Sequence, residues 1–199
     1  VGKKKGIFCL EGDWSRNLAR PSSVEPILNL LSRWEPYFVR YIHRDVSTQQ
    51  SLEGYLRQWL QRRYDNFPIL YLASHGIPGV VCLNDVCSDK FTISLKFLED
   101  VLRGRCAGRI IYFGSCSTLK VPAARLNRFL ETTGALAICG YSKEADWLSS
   151  TAFELLVMGA MQQNAFTVSG VRAMNRRITE RSRTLARRLG FKMVIRKPV

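Results

Sequence analysis

Ile69-Leu70-Tyr71-Leu72-Ala73-Ser74-His75-Gly76 and Ile110-Ile111-Tyr112-Phe113-Gly114-Ser115-Cys116-Ser117 decide how this chain is read. Each is a short, unbroken apolar run that stops abruptly at polar residues able to do chemistry. Such runs, bounded by turn formers, are the pattern of strands buried on both faces. One run ends in His-Gly and the other in Ser-Cys-Ser. A base and a thiol at the ends of neighbouring strands make a nucleophilic dyad. The chain has two histidines, His43 and His75, so the choice of base is narrow.

Working outward, 6–10 is a first strand, followed by the loop Glu11-Gly12-Asp13-Trp14. Ser22 or Ser23 caps a helix with Val24, Ile27, Leu28 and Leu31 at helical spacing. Residues 37–42 are a second strand, and Leu52, Leu56 and Trp59 mark the apolar face of a helix that Pro68 cannot continue. After His75, 79–83 and 91–93 form a hairpin around Asn84-Asp85, and Ser94 caps a helix carrying Leu95, Leu98 and Leu102. Beyond Cys116, Pro122 opens a helix that Gly134 closes. Residues 136–139 are a fifth strand, and 147–161 a largely apolar helix. Val171, Met174, Ile178, Leu185 and Leu189 line one Arg-rich helix, and 191–195 are a sixth strand.

Strands alternating with helices predict an α/β fold: a three-layer α/β/α sandwich with a mostly parallel six-stranded sheet. In such sheets reactive groups gather beyond the carboxyl ends of the strands. Glu11, His75, Cys116 and Tyr141 all fall there. With no repeat, low-complexity segment or linker, 1–199 is expected to be one domain.

The totals narrow the function. Hydrophobic residues at 46% and charged ones at 23% are the balance of a globular fold, and no apolar run is long enough to span a bilayer. The apolar run after Lys3-Lys4-Lys5 is too short for a signal peptide. Val1 fits a literally translated GUG start in a bacterial gene, or a cloning remnant. The six cysteines (9, 82, 87, 106, 116 and 139) have no CxxC pair or zinc spacing, so reduced thiols in a cytoplasmic protein are expected. Cys82 and Cys87 flank the hairpin and are expected simply to pack. No phosphate loop, dinucleotide fingerprint or metal cluster stands out, so neither cofactor nor metal is expected.

The dyad has a specific chemistry. A thiolate is the nucleophile, and a histidine within hydrogen-bond reach takes the thiol proton and returns it to the leaving amine. Neighbouring strands lie about 4.8 Å apart, so residues just past their ends converge. Gly76 permits close backbone approach, and its N–H with that of Cys116 would form an oxyanion hole. Taken singly, each residue has a plain alternative: a buried small hydrophobe for the cysteine, a satisfied loop residue for the histidine.

In order and flanks, the chain resembles the caspase-like (clan CD) cysteine peptidases, the group of caspases, legumain, gingipains, separase and bacterial CHAT domains. The match runs through Ser74-His75-Gly76, the hairpin of 79–93, the helix of 94–102 and Gly114-Ser115-Cys116. In topology it covers about 6–163, and it is closest to the bacterial CHAT-like branch. It implies a hydrolase, a thiol protease acting on protein or peptide substrates through His75 and Cys116. In CHAT domains a Gly, a Trp and an Asp often follow the fifth strand, and in separase-like enzymes that Asp receives a basic P1 side chain. Here Cys139-Gly140-Tyr141-Ser142-Lys143-Glu144-Ala145-Asp146-Trp147 puts Tyr141 at the Trp position and Asp146 one residue early. Asp146 is thus either a substrate-binding selector for a basic P1 residue or the N-cap of the next helix. Glu11 and Asp13 either add negative charge to that pocket or are solvated loop acids. Gly114 stands where caspases carry a Gln, so aspartate specificity does not carry over.

Two further readings stay open. Net charge is +14, and residues 171–199 hold ten Lys/Arg against the single acid Glu180. That tail is a solvated face, a docking surface for an acidic regulatory protein, or a nucleic-acid contact. It lacks the interleaved aromatics of single-strand binders. Hence the alternative to a peptidase is a catalytically silent caspase-like module that binds a partner protein or nucleic acid, without a membrane. His43 follows the second strand and, if that strand lies away from the fourth, does not reach Cys116.

Overall fold

The computed structural model describes residues 5–17, 19–20 and 22–197. In chain order the elements are β1 (Ile7–Glu11), α1 (Glu25–Ser32), β2 (Tyr41–Asp45), α2 (Gln49–Trp59), β3 (Ile69–Ala73), β4 (His75–Ile77), β5 (Val80–Cys82), β6 (Thr92–Ser94), α3 (Leu95–Leu102), β7 (Ile110–Gly114), α4 (Ala123–Thr133), β8 (Ala137–Tyr141), α5 (Trp147–Gln163), α6 (Val168–Arg181), α7 (Arg183–Leu189) and β9 (Phe191–Ile195).

Six strands form one sheet in the order β2-β1-β3-β7-β8-β9, parallel except for β9, which pairs antiparallel to β8. Every residue of β1, β3 and β8 is buried, as the unbroken apolar runs require of strands covered on both faces. Successive side chains point to opposite faces. Phe8, Leu10, Leu70, Leu72, Ile111 and Phe113 pack with Leu56, Leu98 and Phe129 of α2, α3 and α4. Ile7, Cys9, Tyr71 and Tyr112 pack with Leu28, Phe153, Met158 and Val171 of α1, α5 and α6. This is the expected three-layer sandwich. Among the described residues no helix is long and apolar enough to cross a membrane.

Four local expectations change. The second strand starts at Tyr41, not Tyr37, because Phe38 has φ of 42° and breaks the extended backbone before it. The small sheet has three strands, β4-β5-β6, and His75 is the first residue of β4. The Arg-rich segment is two helices, since Ser182 leaves helical geometry with φ of −136°. Neither Ser22 nor Ser23 is the N-cap of α1; Val24 is, and the Glu11 carboxylate accepts its N–H at 2.7 Å.

Cys82 and Cys87 do not merely pack. They form a disulfide, which corrects the expectation of six reduced thiols; Cys9, Cys106, Cys116 and Cys139 are free. The bridge joins positions only five apart, so it removes little freedom from the unfolded chain. Reduction is therefore expected to cost no more than about 2 kcal/mol, read as a small shift in the denaturant midpoint with and without reductant.

Candidate active site

Parallel pairing of β3 with β7 sets Ala73 opposite Gly114. His75 and Cys116 each lie two residues beyond that pair, at the carboxyl edge of the sheet. Gly76, next to His75, packs on the cysteine loop. A Cβ on Gly76 would fall on Thr118 Oγ1, 2.7 Å from the Cys116 carbonyl oxygen and 2.9 Å from Ser115 Cβ. The glycine therefore serves close approach to the cysteine loop. That loop is held tightly: Thr118 Oγ1 donates to the Val80 carbonyl at 3.1 Å, and Gly79 N–H donates to the Thr118 carbonyl at 3.0 Å. Ser117, at φ of 56°, turns the chain and donates its N–H to the Lys143 carbonyl.

The loop after β1 completes the arrangement. Gly12 N–H donates to the Ala73 carbonyl and Asp13 N–H to the Leu83 carbonyl, both at 2.8 Å. Trp14 then lies over His75, its ring edge-on at 5.2 Å, and meets Trp147 at 4.9 Å. Nε2 of His75 is 3.0 Å from the Trp14 carbonyl oxygen. A carbonyl only accepts, so Nε2 carries a proton; in the neutral ring that leaves Nδ1 with its lone pair. Sequence alone gave no hint of this contact, since a backbone carbonyl has no side-chain signature. The half-buried Cys116 Sγ accepts the Ala145 N–H at 3.4 Å.

Cys116 opens onto a cavity of about 40 Å³, lined also by Tyr141, Tyr71, Trp14, Trp147 and Glu154. Glu154 is the one charged residue in α5, and that isolation in an apolar helix is its sequence signal. Tyr71 donates its hydroxyl to Glu154 at 2.6 Å and Tyr141 donates at 3.2 Å. Burial lifts the carboxyl to about 7, against the two tyrosine hydrogen bonds that hold it down.

Of the acids named from sequence, none lines this cavity. Asp146 is the N-cap of α5, accepting the Ser149 N–H at 2.9 Å and pairing with Arg188 at 3.3 Å. Asp13 is exposed. Glu11 is buried and filled: it accepts from Trp14 Nε1, from Ser23 Oγ at 2.7 Å, from Val24 N–H and from His43 Nε2 at 2.5 Å. Burial pushes its carboxyl up, and those hydrogen bonds more than offset it, so Glu11 titrates below the usual range. His43 titrates above its usual range, chiefly through its bond to Glu11. His43 sits on β2, with β1 and β3 between it and β7, and takes no part in the cysteine site. Glu11, His43 and Asp45 bring three possible metal ligands together, a grouping their spacing does not reveal; the donors already on Glu11 make it a fastening between β1, β2 and α1. Tyr141 lines the cavity. Gly114 is explained by Tyr71, whose ring occupies the space of its absent side chain, so a caspase-type Gln has no room here.

The chain belongs to the family of unknown function DUF6642, whose model matches residues 4–195. No curated protein matches it.

Two outcomes are expected. Gly76→Ala must displace the Cys116 loop, lowering stability by about 1–3 kcal/mol in chemical denaturation and changing the alkylation rate of Cys116. Glu154 is raised in the folded state, so its contribution is fully present below the unfolded value of about 4.3 and is lost as pH rises through about 7. Glu154→Gln is expected to flatten the fall in melting temperature across that window.

Proposed function

We propose that this protein is a cysteine endopeptidase that cleaves after a basic residue. The observation that carries the reading is the adjacency of the two strand ends, with Gly76 packed against the Cys116 carbonyl and His75 oriented by Trp14. Nδ1 of His75 takes the Cys116 proton, and the thiolate attacks the scissile carbonyl. The backbone N–H groups of Gly76 and Cys116 receive the oxyanion. His75 then protonates the leaving amine, and water, activated by the same base, hydrolyses the thioester and frees Cys116. No cofactor enters this chemistry.

Glu154 supports the basic P1 preference in the role first assigned to Asp146. It is the acid that shares a cavity with Cys116, and a guanidinium or ammonium entering there would draw it into its ionised form. The rival reading is a silent caspase-like interaction module. It is favoured by the cavity, which at about 40 Å³ is too small for a long side chain until Trp147 moves aside. The cytoplasm is the proposed location: four of the six cysteines are free, and the short Cys82–Cys87 bridge is not one on which a fold depends.

A peptidyl electrophile with arginine at P1 separates the two. Labelling located by mass spectrometry is expected on Cys116, absent in Cys116→Ala and slowed about 10²–10⁴-fold in His75→Ala. Preference for arginine over aspartate is expected to rise as pH passes through about 7 and to shrink roughly a hundredfold in Glu154→Gln. Equal labelling of the wild type and Cys116→Ala overturns the peptidase reading.

A further inference from the structure

We infer that the outer face of α5 is a docking groove for an acidic amphipathic helix of a partner protein. The inference stands apart from the peptidase reading and holds whether or not Cys116 is catalytic. A helix apolar on all sides is normally enclosed. Here α5 has Phe153, Val157, Met158 and Met161 buried, yet Leu148 is 78% exposed and Leu156 51%. Leu148, Ala152, Leu155 and Gly159 follow one another at spacings of four, three and four. That is the spacing along which one helix packs on another; Leu148 and Ala152 are open, Leu155 is partly so, and Trp34 already lies over Gly159 at the far end.

The surroundings give the seam walls. An apolar cavity of about 420 Å³ has α5 as its floor through Leu155, Leu156 and Gly159. Leu30 and Trp34 stand on one side; Leu30 is itself 58% exposed. Arg177, Ile178 and Arg181 of α6 stand on the other. A trough with this layout receives an amphipathic helix at its i, i+3/i+4 and i+7 positions.

Charge selects the occupant. The lining includes two arginines and no acid. Arg177 reaches Gln163, and among the described residues Arg181 forms no ion pair, nor do Arg172, Arg176, Arg183 and Arg187 nearby on α6 and α7. A second copy of a chain carrying +14 would bring like charge against like. An acidic helix pairs with the arginine wall while its leucines fill the trough.

The test uses the full chain and a labelled, stapled helix of about fifteen residues, with leucines along one stripe and glutamates beside it, followed by fluorescence anisotropy. Binding is expected to weaken with salt. It is expected to drop roughly tenfold or more in Leu156→Glu and in Arg177→Glu/Arg181→Glu, both changes at partly or fully exposed positions. The doubly reversed variant is expected to prefer the same helix with lysines in place of glutamates. Absence of binding, equal binding of the acidic and basic helices by the wild type, or a wild-type dimer in sedimentation that Leu156→Glu dissolves would each overturn the proposal.

Discussion

The buried carboxylate of Glu11 is the fastening on which the site rests. A charge taken out of water is expensive unless its lone pairs are filled. Four donors fill them: the Trp14 indole, the Ser23 hydroxyl, the Val24 amide and the His43 ring. The four come from three pieces of structure: the loop beyond β1, the two residues just before α1, and the neighbouring strand β2. Satisfying one carboxylate thus fixes where α1 begins and where the Trp14 ring lies. The Trp14 carbonyl then orients His75, so a carboxylate that touches neither His75 nor Cys116 sets the orientation of the histidine.

The main-chain register supplies the other half. Once β3 and β7 pair with Ala73 opposite Gly114, the segments that carry His75 and Cys116 leave the sheet from neighbouring strands. The absent side chains then matter as much as those present. Gly76 lets the cysteine loop close up, and Gly114 leaves space for the Tyr71 ring that reaches Glu154. Backbone packing and the lining of the cavity are therefore the same construction viewed from two sides.

The layer architecture was legible in the chain because buried parallel strands need unbroken apolar runs, and 69–73 and 110–113 have them. Residues 37–40 misled because their aromatic, β-branched composition resembles a strand, while one left-handed residue, Phe38, overrides it. The Arg-rich segment keeps its apolar stripe across Ser182, so periodicity alone could not find the break. At the candidate site, the placement of His75, Gly76 and Cys116 just beyond β3 and β7, and of Tyr141 at the end of β8, was readable from the strand pattern. Glu11 was noticed for its charge, yet its partners are distant in sequence, so its inward, saturated setting was not readable. Asp146 had two readings, and its contacts are those of a helix cap. The setting of Glu154 was not readable because its tyrosine partners, Tyr71 and Tyr141, lie on distant strands and the rest of α5 has the composition of a buried helix.

A consequence for sequence drift follows from α5. Its start carries Trp147, which covers the cavity, and one turn beyond the Ser149 contact its inner side presents Glu154 to two tyrosines. Its remaining inner residues pack on the sheet, and its outer side floors the groove. Most surface helices keep one side on which polar exchange is harmless, as α4 does with Arg128 and Glu131. In α5 the exposed side, with Leu148, Ala152 and Leu156, is the one offered to the proposed partner. Across the family this seventeen-residue helix should accept few substitutions anywhere along its circumference, and an exchange at one position should be accompanied by changes on α1 or α6.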